Sequence, residues 1–95
     1  MLKNQVKAVI TVTGLVQGVG YRFFCVRQAQ QHNIRGYVQN LGNGDVQVVA
    51  EGSRGVINDF VKRLKVGPVS AHVTGIDVQY SEEEKGFDTF DVRFS

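Results

Sequence analysis

The sequence predicts an α+β domain in which two helices cover one face of a β-sheet. Stretches in which apolar and polar residues alternate are interrupted twice by stretches with helical spacing, and turn-forming residues separate them. The predicted elements follow one another in the order β-α-β-β-α-β, with one more strand at the end of the chain. Two split β-α-β units of this kind place both helices on the same side of an antiparallel sheet.

The first half of the chain is predicted to contain a strand, a helix and a hairpin. The first strand is indicated by alternating apolar residues, namely Val6, Ala8, Ile10 and Val12. From Tyr21 to about His32 the period becomes helical, with one apolar stripe formed by Tyr21, Phe24, Cys25 and Ala29. Asn43 and Gly44 then separate two β-rich runs, IRGYVQN and DVQVVAEG, and an Asn-Gly pair is a strong hairpin signal.

The second half is predicted to contain a helix and two further strands. Ser53 is suited to cap the helix and Gly67-Pro68 to end it. Its apolar stripe comprises Val56, Ile57, Phe60, Val61 and Leu64. Alternation returns at Ile76, Val78 and Tyr80, and, after the charged turn SEEEKG, at Phe90, Val92 and Phe94. The complete order predicts a ferredoxin-like βαββαβ sandwich with an extra C-terminal strand.

Length, charge and cysteine content restrict the class of protein. We expect a single domain spanning residues 1–95, since a chain of this length suits one small core. The net charge of +2 is too small to indicate nucleic-acid binding, and one cysteine with two histidines is too few ligands for a structural zinc site. The N-terminal stretch is typical of a strand and lacks signal-peptide features, and no run approaches the roughly 18 apolar residues of a spanning helix. We therefore expect a cytoplasmic monomer with no membrane or nucleic-acid partner and no metal.

The loop after the first strand, GLVQGVGYR, combines three glycines with an arginine in the first helical turn. It is neither a Walker A loop, because the Lys and Ser/Thr are missing, nor a dinucleotide-binding loop, because the glycine spacing differs. Glycines nevertheless allow successive backbone N–H groups to point inward, and the start of a helix adds further free N–H groups. Arg22 would add a planar, charged fork. The loop is therefore either a site for one phosphate-like anion or an ordinary turn with a surface arginine.

Asn40, at the end of the second predicted strand, is a second polar candidate. An asparagine in this position commonly belongs to a turn. It could instead project its amide toward the glycine loop. An amide takes up no proton at neutral pH, so it would act by orienting a water molecule and not as a general base.

Together these residues resemble the acylphosphatase family. Residues 14–22 are similar to the family signature G-x-V-Q-G-V-x-F-R, and GYVQN at residues 36–40, followed by Gly44, Val46 and Gly52, is similar to its second signature. Gly67-Pro68, with Ser70 and Val73, resembles the stretch after the second helix. The resemblance covers essentially the whole chain. Tyr21 is a departure, because the family usually has Phe there.

The resemblance implies hydrolysis of small acyl phosphates to a carboxylate and inorganic phosphate, without a cofactor or metal ion. By this analogy the phosphate is bound by Arg22 and by the backbone N–H groups of Gln17, Gly18, Val19, Gly20, Tyr21 and Arg22. Asn40 would position the attacking water. The alternative function is a non-catalytic anion-binding module of the same fold.

Other candidate residues receive structural interpretations. We expect Cys25 to be a packed thiol, and Phe23 and Phe24 to lie in or near the core. His32 is expected to interact with the end of its helix, and Glu82, Glu83 and Glu84 to form a solvated turn.

Overall fold

A computed structural model describes residues 5–83 and 85–94 and contains the predicted elements in the predicted order. The strands are β1 (Gln5–Leu15), β2 (Arg35–Asn40), β3 (Val46–Ser53), β4 (His72–Ser81) and β5 (Phe90–Val92), and the helices are α1 (Tyr21–Gln31) and α2 (Arg54–Val66). The ferredoxin-like α+β fold with an extra C-terminal strand is thereby confirmed. No helix in the described ranges has the length and apolar character needed to cross a membrane.

The five strands form one sheet in the order β4-β1-β3-β2-β5. All pairs among β1 to β4 are antiparallel, as predicted, whereas β5 pairs in parallel with β2. The sheet is therefore mixed, because the chain passes from β4 at one edge to β5 at the other edge. The register aligns Val12 of β1 with Val46 of β3, and Val46 with Asn40 of β2.

The core lies between the two helices and one face of the sheet. Apolar side chains alternate along the central strands as the sequence predicts, and α2 contributes three of its predicted stripe residues to the interior. The fully buried side chains include Ala8, Ile10, Val12, Val38, Val46, Val48, Ile57, Phe60 and Leu64. The opposite face of the sheet, which carries no helix, is called the open face below.

Several local expectations need correction. β1 continues through Gly14 to Leu15, with a register shift between Thr13 and Gly14 where the strand meets the start of β4. A Cβ atom at Gly14 would lie 2.1 Å from the carbonyl oxygen of His72, so this close approach requires glycine. Phe23 does not pack in the core; it is 71% exposed, because it lies on the outer side of the first turn of α1.

The last strand is shorter than predicted, since Phe94 lies beyond β5 and is 77% exposed. Phe24 packs against the core and Cys25 is fully buried, as expected. Glu82 and Glu83 are exposed, while Glu84 lies outside the described residues. Ser53 precedes α2 at the N-cap position without a side-chain hydrogen bond to the helix.

Candidate active site

The glycine loop has the alternating backbone conformation from which anion-binding concavities are built. Gly18 and Gly20 have φ angles of +75° and +77°. Across the described residues Asn33 is the sole non-glycine with positive φ, so Gln17 and Val19 have negative φ. Where residues of left-handed and right-handed conformation alternate, successive N–H groups point toward one side, and the alternating sign of φ is compatible with this arrangement. A Cβ at Gly18 or Gly20 would meet nothing within 4 Å, so glycine is needed there for its backbone conformation and not for space.

Helix α1 begins directly after this loop. Gly20 is its N-cap in the left-handed conformation, and no side chain caps the first turn. The first N–H groups of a helix have no partner within the helix and lie at the positive end of its dipole. The glycine loop is therefore followed directly by the free N–H groups of a helix start.

A small cavity lies at this point. Its volume is about 80 Å³, and it is lined by Val16, Gly18, Gly20, Tyr21, Arg22 and Phe23. A space of this size suits one compact group and is too small for a large ligand.

Arg22 is half-buried in the first turn of α1, and its guanidinium carbon lies 5.1 Å from the centre of the Phe94 ring. A cation at this distance over an aromatic ring is held by a cation–π attraction. The segment after β5 thus helps to hold the arginine beside the cavity. The sequence did not predict this contact, because the alternating pattern placed Phe94 in the last strand.

The side chain of Gln17 joins the glycine loop to the β2–β3 hairpin. Its Nε2 donates hydrogen bonds to the carbonyl oxygens of Leu41 at 2.9 Å and Asp45 at 2.8 Å. Leu41 directly follows Asn40, so this bridge fixes the end of β2 relative to the loop. From the sequence, Gln17 was expected to contribute only its backbone N–H. The signal that its side chain has a further role was its position in the family signature.

Asn40 lies on the helix-facing side of the sheet, because it is two residues beyond Val38, which is fully buried in the core. Its Oδ1 is buried and has no hydrogen-bond partner among the described residues. A buried amide oxygen without a partner is costly, at about 1–3 kcal/mol. Asn40 is not among the residues that line the cavity beside Arg22. The structure therefore brings Arg22 and the loop together, and Gln17 joins Leu41, the residue after Asn40, to the same loop.

Tyr21 anchors the start of α1 to the end of α2. Its hydroxyl donates a 2.7 Å hydrogen bond to the carbonyl oxygen of Leu64, and both residues are buried. The N–H that would ordinarily bond the Leu64 carbonyl belongs to the residue four positions later, which is Pro68 and has no N–H. The tyrosine hydroxyl supplies the missing donor. The hydroxyl that distinguishes Tyr21 from the usual Phe thus has a structural role, because it links α1 to α2.

The two ionisable groups buried here are held in their protonated forms. Burial raises the pKa of the Tyr21 phenol, and the neighbouring Cys25 thiol raises it further. Burial likewise raises the pKa of the Cys25 thiol, with a smaller opposing effect from its hydrogen bond with Tyr21. Neither group can supply an anionic nucleophile near neutral pH.

The remaining candidates do not line the cavity beside Arg22. His32 lies at the end of α1, and its Nδ1 is 2.8 Å from the carbonyl oxygen of Gln28. No group of three or more His, Cys, Asp or Glu side chains suited to hold a metal ion occurs in residues 5–83 and 85–94. Ser70, after α2, donates a 2.9 Å hydrogen bond to the carbonyl oxygen of Val19 and so supports the glycine loop from the other side.

Comparison with known proteins agrees with this geometry. A model of the acylphosphatase family matches residues 8–92. The chain is 47% identical to an acylphosphatase of Deinococcus radiodurans over 76% of this chain and 83% of that protein. It is 43% identical to an acylphosphatase of Moorella thermoacetica over 95% of this chain and 96% of that protein.

A solved structure supports the same family. The crystal structure of acylphosphatase from Bacillus subtilis superimposes with a TM-score of 0.91 at 34% identity, covering 93% of this chain and 98% of that one. A match of the family along residues 8–92, together with relatives matched over nearly their whole length, leads to one conclusion: the chain belongs to the acylphosphatase family of enzymes.

Proposed function

We propose that Arg22, the backbone N–H groups of residues 17–22 and Asn40 form the active site for acyl phosphate hydrolysis. The family's substrates are acyl phosphates, and inorganic phosphate is one product. The observation that carries the assignment is the loop of alternating φ that leads into α1 and opens on a cavity of about 80 Å³ beside Arg22. We further propose that residues 1–95 act as one domain and as a monomer.

The phosphate group is bound by backbone donors and by one arginine. Inward-facing N–H groups of the loop and the first N–H groups of α1 donate to the phosphate oxygens. The guanidinium of Arg22 donates two further hydrogen bonds in a planar fork. Phe94 supports this cation from one side, at 5.1 Å. Phosphoryl transfer depends mainly on positioning and charge stabilisation, and these groups provide both.

Asn40 orients the water that attacks phosphorus. Support comes from its buried Oδ1, which has no partner in the described part of the chain and would accept a hydrogen bond from that water. The Gln17 bridge to Leu41 and Asp45 holds the amide in register with the glycine loop. An amide does not remove a proton, so the role of Asn40 is orientation.

The leaving group explains why the site has no general acid. A carboxylate leaves as the anion of an acid with a pKa of about 4, so it needs no proton at neutral pH. The attack on phosphorus breaks the bond between phosphorus and the acyl oxygen, giving a carboxylate and inorganic phosphate. We therefore propose turnover without added metal or cofactor. We also propose a cytoplasmic location and no nucleic-acid or membrane partner.

The experiment separates binding from chemistry. Phosphate affinity is measured by calorimetry, and turnover by hydrolysis of benzoyl phosphate. Arg22→Ala should lose both phosphate binding and about 10³–10⁵-fold in turnover, by comparison with arginines that stabilise phosphoryl transfer. Asn40→Ala should retain phosphate binding and lose about 10²–10³-fold in turnover.

Arg63→Ala is the matched control, because Arg63 is an exposed cation on α2 that does not line the cavity beside Arg22. It should behave as wild type in both assays. Equal turnover of folded Asn40→Ala and wild type would contradict the role of Asn40. Unchanged phosphate binding in Arg22→Ala would contradict the placement of the phosphate.

A further inference from the structure

The open face of the sheet carries a second cavity that shares no residue with the one beside Arg22. Its volume is about 270 Å³, and the side chains that define it here are Lys7, Tyr37, Gln47, Lys85, Phe87 and Arg93. Valines of β1 and β3 that pair in register also line it. We call it the open-face cavity. Acyl phosphate hydrolysis at the glycine loop makes no use of it.

The open-face cavity is cationic. Lys7, Lys85 and Arg93 line it, and no acidic side chain among the described residues does so. Glu51 lies next to it, opposite Lys7 in the β1–β3 register, and Asp91 lines a separate depression at the sheet edge. An anion inside the cavity would be attracted by the cations that line it, since the screening length is about 8 Å at physiological ionic strength.

Aromatic rings form the second part of the lining. The guanidinium carbon of Arg93 lies 3.6 Å from the centre of the Tyr37 ring, and the Phe87 ring meets Tyr37 edge-on at 5.7 Å. Gln47 adds a polar side chain, whose Oε1 accepts a 3.3 Å hydrogen bond from Gln39 Nε2. A planar ring can pack against such aromatic and guanidinium groups while its anionic substituent meets the lysines.

The walls of the open-face cavity are fixed in place. Glu51 is fully buried and accepts backbone hydrogen bonds from Lys85, Gly86 and Phe87, the last two at 3.0 and 3.1 Å. These bonds hold the segment that supplies Lys85 and Phe87 across the open face. Arg93 is fixed by its backbone N–H, which donates to the carbonyl oxygen of Val38 at 2.8 Å. The cavity is thus preformed, which reduces the entropy lost on binding.

We propose that the open-face cavity is a binding site for a small aromatic anion, one or two rings bearing a carboxylate or a phosphate. The three cations select the anion, and Tyr37, Phe87 and the stacked Arg93 select the ring. A volume of about 270 Å³ lies just below that of typical ligand pockets, which start at about 300 Å³, so the cavity suits a ligand of one or two rings and not a larger one. A single strand of nucleic acid is the competing occupant, and the same experiment distinguishes it.

The test is a titration followed by amide shifts in ¹H–¹⁵N NMR spectra, with the glycine loop saturated by inorganic phosphate. The probes are 2-naphthoate and 2-naphthyl phosphate, which separate the carboxylate and phosphate forms. Cyclohexanecarboxylate lacks the aromatic ring, and 2-naphthamide lacks the charge. An aromatic anion should shift the amides of Lys7, Tyr37, Phe87 and Arg93, with a Kd on the order of 0.1–1 mM. The two comparison compounds should bind at least about tenfold more weakly.

Matched variants test the charges. Lys7→Gln/Lys85→Gln should weaken binding of the naphthyl anion about tenfold or more, while leaving the Arg93 and Tyr37 stack intact. Lys62→Gln/Lys65→Gln removes the same charge from exposed positions on α2 and should bind as wild type. Three results would overturn the proposal: shifts confined to residues 17–22, equal binding by both double variants, or a response to a thymidine oligonucleotide with none to naphthoate. Because the readout is binding on the open face, failure here leaves acyl phosphate hydrolysis untouched.

Discussion

Replacing Tyr21 by Phe should destabilise the protein while leaving its catalytic groups in place. The change removes the 2.7 Å hydrogen bond from the hydroxyl to the carbonyl oxygen of Leu64. Leu64 is fully buried and Tyr21 is 1% exposed, so water cannot replace the lost donor. Pro68 offers no N–H in its stead. A buried carbonyl left without a partner costs about 1–3 kcal/mol, and we expect a loss near the middle of that range.

Thermal unfolding followed by circular dichroism measures this cost. For a domain of this size about 1 kcal/mol corresponds to about 4–8 °C, so Tm should fall by on the order of 10 °C. At temperatures below the unfolding transition, turnover should stay close to that of wild type, because Phe keeps the aromatic ring with which Tyr21 lines the cavity. Tyr37→Phe, on the open face, is the control and should change Tm little. Equal melting temperatures for Tyr21→Phe and wild type would refute the anchoring role of the hydroxyl.

Three further changes probe the contacts around the site. Gln17→Ala should lower turnover about tenfold or more and leave phosphate binding largely intact, because it removes the bridge that positions the hairpin. Kinetics and calorimetry measure the two effects, and equal losses of turnover and of phosphate affinity would contradict this role of Gln17. Phe94→Ala should raise the phosphate Kd severalfold, since it removes a cation–π contact worth about 0.5–1 kcal/mol from Arg22; an unchanged Kd would count against that support. The third change is pH. Folding raises the pKa of the Cys25 thiol, so the unfolded chain releases the thiol proton at a lower pH than the folded chain. The stabilisation that this pKa difference provides is fully present below about pH 8.5 and decreases above it. Urea unfolding between pH 7 and 10 should show this fall, Cys25→Ala should reduce it, and a flat profile in wild type would argue against it.

The fold was predictable because short-range patterns agree with it at nearly every element. Alternation in β1 and the stripe of α2 each specify which side chains face the core, and those residues are buried or pack against the buried cluster. The parallel position of β5 beside β2 was not predictable. A three-residue strand carries little pattern of its own, and its partner is chosen by the path of the preceding segment, which Glu51 holds across the open face.

The candidate site was predictable in part. Gly18, Gly20 and Arg22 have backbone and charge properties that depend on few other residues, so their placement follows from local sequence. The Gln17 bridge and the Phe94 contact depend on residues brought together only by the fold. Phe23 was placed wrongly because its apolar character was weighed above the helical period, which puts it on the side of α1 opposite Tyr21 and Cys25.

Steady-state hydrolysis of benzoyl phosphate in the presence of EDTA, by wild type and by Arg22→Ala, tests the central claim most directly. We expect rapid turnover by wild type that chelator does not reduce, and a loss of about 10³-fold or more in a folded Arg22→Ala. Turnover by Arg22→Ala close to that of wild type would show that the chemistry takes place elsewhere. Phosphate binding without turnover in wild type would show that the glycine loop binds the anion but does not catalyse its transfer to water.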